Sequence, residues 1–264
     1  AVLSFHTESH VCRGKGFVYT GTFKRSNSGV IVMDVKLLPI NAKDAIQRLY
    51  VACRTCYSKE SPAVVLKQKT DTEKKIKLIE HVLNSGHHSV LEHVSFTFLV
   101  SGLSRAAAQQ LTRHRIGMSF SMQSQRYCSL EDCFDYVVPD TIKANTEAED
   151  LYIRTMGTLH DVYRTLLNLG IKAEDARMVL PNACTSNLTV SINLRQLIHV
   201  CHERLCTCAQ LEIRQLVTAM VREVVKELPF LATYLVPKCE ALGYCTENAK
   251  RTCKRKPLKK DVLP

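Results

Sequence analysis

Arg113-His114-Arg115, followed by Ser119, Ser121, Ser124, Arg126 and Tyr127, sets fork-shaped donors beside hydroxyls. A guanidinium is planar and bidentate, so this set suits a site that grips a phosphate and a planar polar ring. Arg-His-Arg alone also reads as a solvated basic helix end favoured by the macrodipole. Gln110, the serines and Arg126-Tyr127 together weigh toward a binding site. Ser124 lies among basic groups as a nucleophile would, but a phosphate-binding or substrate-orienting hydroxyl is the better reading.

The elements that must position these residues are legible on both sides. Upstream, Val94 to Val100 alternates polar and β-favouring residues and predicts a strand, which Ser101-Gly102-Leu103 is expected to break. A helix capped by Ser104 follows, with Gln110 and Arg113 spaced to share one face. Gly117 can end it, leaving Arg113 and Arg115 to clamp separate groups at a frayed terminus. His87 follows a helix-ending glycine and either caps that helix or places an imidazole beside a ring.

Further out, Val30 to Leu38 is a strand candidate. Asn41 to Tyr57 and Thr72 to Ser85 are amphipathic helices, the second burying Ile76, Leu78, Ile79, Val82 and Leu83. Downstream, Asp135 to Pro139 suggests a short strand and Asp140 to Leu169 a long helix closed by Gly170. Glu174 to Pro181 reads as a short helix, Thr185 to Asn193 as a strand, and Leu194 to about Leu228 as a second long helix. On that helix Arg195 and His199 are four residues apart and share a face. Taken alone, Arg177 reads as an ordinary surface arginine.

Gly86-His87, Glu92-His93, Phe96-Thr97-Phe98, Arg113-His114-Arg115 and Ser124-Gln125-Arg126-Tyr127 resemble the flavin-dependent thymidylate synthases in order and nearly in spacing. With further pieces downstream, the resemblance spans about Val30 to Cys253. It implies methylation of dUMP to dTMP with FAD as cofactor, methylenetetrahydrofolate as carbon donor and NADPH as reductant, in a homotetramer with shared sites. By resemblance Arg204 addresses the pyrimidine and is the catalytic residue. Gln110, Arg113, Gln123, Ser124, Gln125, Arg126 and Arg177 would join it around dUMP. His87, Ser89, Arg113, His114, Arg115, Met122, Asn193, Arg195 and His199 would face FAD.

The match has departures. Eight residues separate Arg115 from Ser124 where the family commonly has seven, so counting from Arg115 points to Gln123 and counting back from Arg126 points to Ser124. The intact Ser-Gln-Arg-Tyr favours Ser124, with Gly117 absorbing the insertion. Met122 stands where a polar residue is usual, His199 where some members carry Asn, and Leu211 where Trp is frequent.

Composition bounds the remaining choices. The chain has 264 residues, 45% of them apolar, enough for a substantial core. Without a membrane-length apolar run or a signal-peptide pattern, a soluble cytoplasmic protein with no membrane partner is expected. A net charge of +11 calls for an anionic partner. That leaves a basic nucleic-acid-binding protein without catalysis as the alternative, although no nucleic-acid module is recognisable. Twelve cysteines without an export signal argue for reduced thiols. No metal ligands are assigned: Cys53 and Cys56 lack a second pair, and Cys239, Cys245 and Cys253 form a looser cluster that could hold zinc only with a fourth ligand from elsewhere.

The expected fold is α+β, a mixed or antiparallel sheet flanked by helices, with one long helix in the C-terminal half. The expected organisation is a poorly ordered lead-in over 1–29, a catalytic domain over 30–238 and a basic, cysteine-containing tail over 239–264.

Overall fold

The computed structural model describes residues 33–262, so the lead-in and the start of the first strand candidate lie outside the described residues. The described chain forms two compact units, one of residues 33–122 with 186–262 and the other of residues 123–185.

The first unit starts with β1 (Asp34–Leu37) and α1 (Ala42–Thr55), whose N-cap Asn41 accepts from the Lys43 and Asp44 amides. A short α2 (Pro62–Lys67) that the sequence reading did not foresee is capped by Ser61, with proline at its first turn. α3 (Thr72–Asn84) buries Ile79, Val82 and Leu83 and leaves Ile76 and Leu78 half-buried. A 3-10 turn at His88–His93 leads into β2 (Ser95–Ser104), where Phe96, Phe98 and Val100 alternate inward. Burying each such side chain stabilises the fold by about 1.5–3 kcal/mol.

The break expected at Ser101-Gly102-Leu103 does not occur. Gly102 takes φ +75, a left-handed conformation open to glycine, and Leu103 is fully buried, so the strand turns without ending. It hands over at Ser104 to α4 (Arg105–Leu111), whose N-cap hydroxyl accepts from the Ala107 amide. After β3 (Met118–Met122) the chain leaves this unit.

The second unit carries α5 (Asp140–Lys143) and the 23-residue α6 (Thr146–Asn168), then α7 (Ala173–Ala176) and a 3-10 turn at Arg177–Val179. The single helix expected from Asp140 is thus two, because the Asn145 side chain accepts from the Ala148 amide and starts a new helix there. Asp135–Pro139 yields only a bridge between Tyr136 and Cys184. The small core here is Phe134, Met156 and Cys184.

The chain rejoins the first unit along β4 (Thr185–Asn193), whose Leu188, Val190 and Ile192 are buried in alternation. The four-stranded sheet has the order β1-β2-β4-β3, with β1 antiparallel to β2 and β3 antiparallel to β4. It is the α+β arrangement expected. The helix expected to run from Leu194 to Leu228 divides into α8 (Leu194–Arg204) and α9 (Leu211–Glu227). Cys206-Thr207-Cys208, a run of poor helix formers, falls at the division. A 3-10 turn at Pro229–Thr233, α10 (Lys238–Leu242) and a last 3-10 turn at Lys259–Asp261 complete the unit. No helix among the described residues is long and apolar enough to cross a membrane.

Candidate functional site

Two short helices and the turn between α4 and β3 assemble the central cluster. α4 ends at Leu111, two residues short of Arg113, so Arg113 sits in the turn that follows and does not share a helix face with Gln110. Arg113 and Arg115 are exposed and make no ion pair or hydrogen bond among the described residues. His114, between them, points the other way. Its Nε2 accepts from the Arg204 Nε at 2.9 Å, and its ring meets that of His199 edge-on, centroids 5.8 Å apart.

Burial first, then the positive charges of Arg204 and His199, lower the His114 pKa from 6.5 to about 4. His114 is therefore neutral at pH 7 and can accept from Arg204, whose guanidinium it orients. The Arg204 Nη2 adds a long contact to the Gln110 carbonyl at 3.5 Å. The Gln110 side chain donates to the Gln210 carboxamide and to the Ala106 carbonyl. Gln210 matches the family pattern in the sequence without being assigned to the site there, since nothing local marks it as a partner of Gln110.

The base of this cluster is fixed by Gly117 and Asn193. Asn193 donates its amide to the Gly117 carbonyl at 2.9 Å, and its Oδ1 caps α8 by accepting from the Gln196 amide at 2.8 Å. Gly117 has φ +66, and a Cβ there would fall 2.8 Å from the Asn193 Cγ. That conformation and the lack of a side chain are what let the turn carrying the arginines close against the start of α8. Arg195 and His199 are both exposed on α8, and the Arg195 Nη1 pairs with Glu92 at 2.5 Å. His87 precedes the 3-10 turn and Ser89 lies within it; both are exposed. The His87 Nδ1 lies 3.5 Å from the Tyr57 hydroxyl, with the two rings edge-on. Ser119, Ser121 and Met122 are exposed on β3.

In the second unit, Gln123 is exposed and Ser124 opens a tight turn: its carbonyl accepts from the Cys128 amide and its hydroxyl from the Arg126 amide. Gln125 turns inward, 7% exposed, and donates to the Cys184 sulfur. Arg126 and Arg177 converge on Glu174. The Arg126 Nη2 pairs with its carboxylate at 2.8 Å, and the Arg177 Nε donates to its carbonyl at 3.1 Å. Glu174 was not singled out in the sequence, although its place three residues before Arg177 on a short helix was a usable signal. Arg126 also lies over the Tyr127 ring.

In the first unit a neutral imidazole holds one guanidinium, with two exposed guanidiniums nearby in sequence; in the second, one arginine pairs with the Glu174 carboxylate and another donates to its carbonyl. Each is a donor set suited to anionic ligands. Comparison with known proteins agrees. A family model described as thymidylate synthase complementing protein matches residues 37–230. The flavin-dependent thymidylate synthase of Nitratidesulfovibrio vulgaris is 41% identical over 231 residues, covering 83% of this chain and 94% of the relative. That of Geobacter sulfurreducens is 40% identical over 204 residues, covering 77% and 86%. Among solved structures, thymidylate synthase X of Helicobacter pylori, crystallised with FAD and dUMP, superposes with a TM-score of 0.62 at 26% identity, covering 78% of this chain and 99% of that one. These comparisons lend no support to a non-catalytic nucleic-acid-binding protein.

Proposed function

Because the chain belongs to the flavin-dependent thymidylate synthase family, we propose that it methylates C5 of dUMP, with FAD as bound cofactor, methylenetetrahydrofolate as carbon donor and NADPH as reductant. The observation that carries the mechanism is Arg204, a guanidinium fixed by an imidazole that burial keeps neutral. Uracil C5 is a poor nucleophile until negative charge develops in the ring. Arg204, placed at N3 and its flanking oxygen, stabilises that charge. His114 prepays the orientation of the fork, so little reorganisation is needed as the charge appears.

Arg126 and Arg177 bind the dUMP phosphate and sugar with Gln110, Gln123 and Ser124. Glu174 holds Arg126 until the dianionic phosphate, the stronger acceptor, takes its place. Gln125, buried against Cys184, serves the same subsite by fixing the turn that carries Ser124 and Arg126. The donor set also fits FAD. Arg113 and Arg115, both exposed, suit its diphosphate, and His87, Ser89, Met122, Asn193, Arg195 and His199 of the same unit are assigned to FAD by the family resemblance. Bound FAD, once reduced, supplies the hydride that completes the methyl group. No cysteine is required as a nucleophile.

The proposal extends to a homotetramer whose sites are shared between subunits. α6 supports it: the helix buries only Met156 and Tyr163 and leaves Leu151 61% exposed, with Ile153 and Val162 also outward. Leu151 and Val162, three turns apart on the same side of the helix, are apolar side chains that a subunit contact would cover.

The test is anaerobic tritium release from C5-labelled dUMP by purified protein supplied with FAD, NADPH and methylenetetrahydrofolate. A yellow protein that releases tritium and forms dTMP is expected. A colourless protein that takes up no FAD and releases none refutes the proposal.

A further inference from the structure

Residues 238–262 hold a defined path with almost no apolar interior. They form α10, a bridge between Cys245 and Leu258, and the final 3-10 turn. Cys245 is nevertheless the sole buried residue among them. Ordering a backbone costs about 1–2 kcal/mol per residue, so one small buried side chain cannot hold a segment of this length in place. Small segments that lack a core are held by a cross-link or a metal.

What this segment brings together is sulfur. The loop between α8 and α9 carries Cys206 and Cys208, one residue apart. Their Sγ atoms and a Glu247 carboxylate oxygen lie within 4.8 Å of one another. Sulfurs in a tetrahedral zinc site are about 3.8 Å apart, given Zn–S bonds of about 2.3 Å, so this spacing is close to a ligand set. Cys239 is an electrostatic neighbour of Cys206, Cys245 and Cys253. The Cys253 sulfur receives the Arg255 amide and the Thr207 hydroxyl, which sets it beside the loop that carries Cys206 and Cys208. Cys206, Cys208, Cys239 and Cys253 all open on one cavity of about 130 Å³. Lys238, Arg251 and Arg255 line it too, and their charge offsets that of several thiolates.

We propose that this cavity is a structural zinc site, with Cys206 and Cys208 from the α8–α9 loop and Cys239 and Cys253 from the C-terminal segment as ligands and Glu247 beside them. Four soft thiolates, two from the α8–α9 loop and two from the C-terminal segment, are the donor set of a structural rather than a catalytic ion. The ion does in one place what a core would otherwise do, clamping the C-terminal segment onto the end of α8. α10 already packs on α8, and Lys238 reaches Glu203 at 3.9 Å. The clamp therefore acts two residues from Arg204, yet the site stands independently of the reaction proposed above.

The 264-residue chain with its flavin, without a metal-binding tag, is purified under reducing conditions without chelator or added metal and analysed by plasma mass spectrometry. About one zinc per chain is expected. Cobalt exchanged into the same protein should give the intense near-ultraviolet charge-transfer band of thiolate ligation. Zinc removal should open residues 238–262 to limited proteolysis while FAD absorbance shows the rest of the chain folded. The Cys206→Ser/Cys208→Ser protein should lose the metal. Wild-type protein that contains no zinc and gives no cobalt–thiolate band overturns the proposal, as does full zinc retention by the double variant. So does a Cys206–Cys208 disulfide under the reducing conditions of purification.

Discussion

Replacing Arg204 by alanine deletes the donor held at 2.9 Å by His114 and leaves that half-buried imidazole without its partner. The loss has two parts. Removing one preorganised donor from a developing anion lowers kcat by about 100- to 1,000-fold. In the role proposed for Arg204, uracil N3 and its oxygen are contacted before the ring becomes charged, so part of the loss should appear as weaker dUMP binding, by about 10-fold for one charge-assisted hydrogen bond. Arg204→Lys keeps the charge without the planar fork and should fall between the two. Single-turnover tritium release under anaerobic conditions measures the chemical step, and dUMP titration of the bound-flavin spectrum measures affinity. The Ser124→Ala protein is the control: a hydroxyl that orients the substrate should leave measurable turnover. In Arg204→Ala the His114 pKa should also rise from about 4, since one of the charges that lowers it is gone, while burial still holds it below 6.5. An Arg204→Ala enzyme within about threefold of wild type in the chemical step would refute the reasoning, because it would show no differential stabilisation of the transition state. Equal losses in Arg204→Ala and Ser124→Ala would refute the division of roles.

Three other outcomes follow from the geometry. The folded-state pKa of His114 is depressed, so the unfolded chain binds more protons between about pH 4 and 6.5. Its contribution to stability is full above pH 6.5 and is lost as pH falls through 4; urea unfolding at several pH values should show this slope in wild type and a shallower one in His114→Gln. Arg126→Ala should raise the KM for dUMP about 10- to 100-fold with a smaller change in kcat, the cost of a charge-assisted phosphate contact, whereas Glu174→Gln, which frees Arg126, should not raise it. Gly117→Ala combines a φ of +66 with a Cβ driven into Asn193 and should cost about 1–3 kcal/mol, visible as a lower Tm together with weakened FAD retention.

Much of the architecture was legible from local pattern. The alternation of Phe96, Phe98 and Val100, and of Leu188, Val190 and Ile192, specifies strands because period two puts every second side chain on the buried face. Asn41 and Ser104 announce helix starts because their short polar side chains satisfy amides that would otherwise lack partners. The residue types suited to anionic ligands were readable as well, although Arg113-His114-Arg115 alone reads equally as a solvated basic helix end. Apart from the unforeseen α2 and the Asp135–Pro139 strand that reduced to a bridge, the failures were at boundaries. Asn145, Gly102 and the Cys206–Cys208 run each changed an element's extent, where capping, a left-handed glycine and low helix propensity outweighed the hydrophobic period.

By itself the amino-acid order determined which segments became strands and helices, which family the chain resembles, and which side chains were chemically fit to bind phosphate, uracil and flavin. Only the tertiary structure decided their partners. Arg204 meets His114, Arg126 meets Glu174, Arg195 meets Glu92, and Cys206 and Cys208 meet Glu247. The reason is physical: periodicity and capping act over a few residues, whereas these contacts close long loops, and which loops close is settled by how the whole core packs.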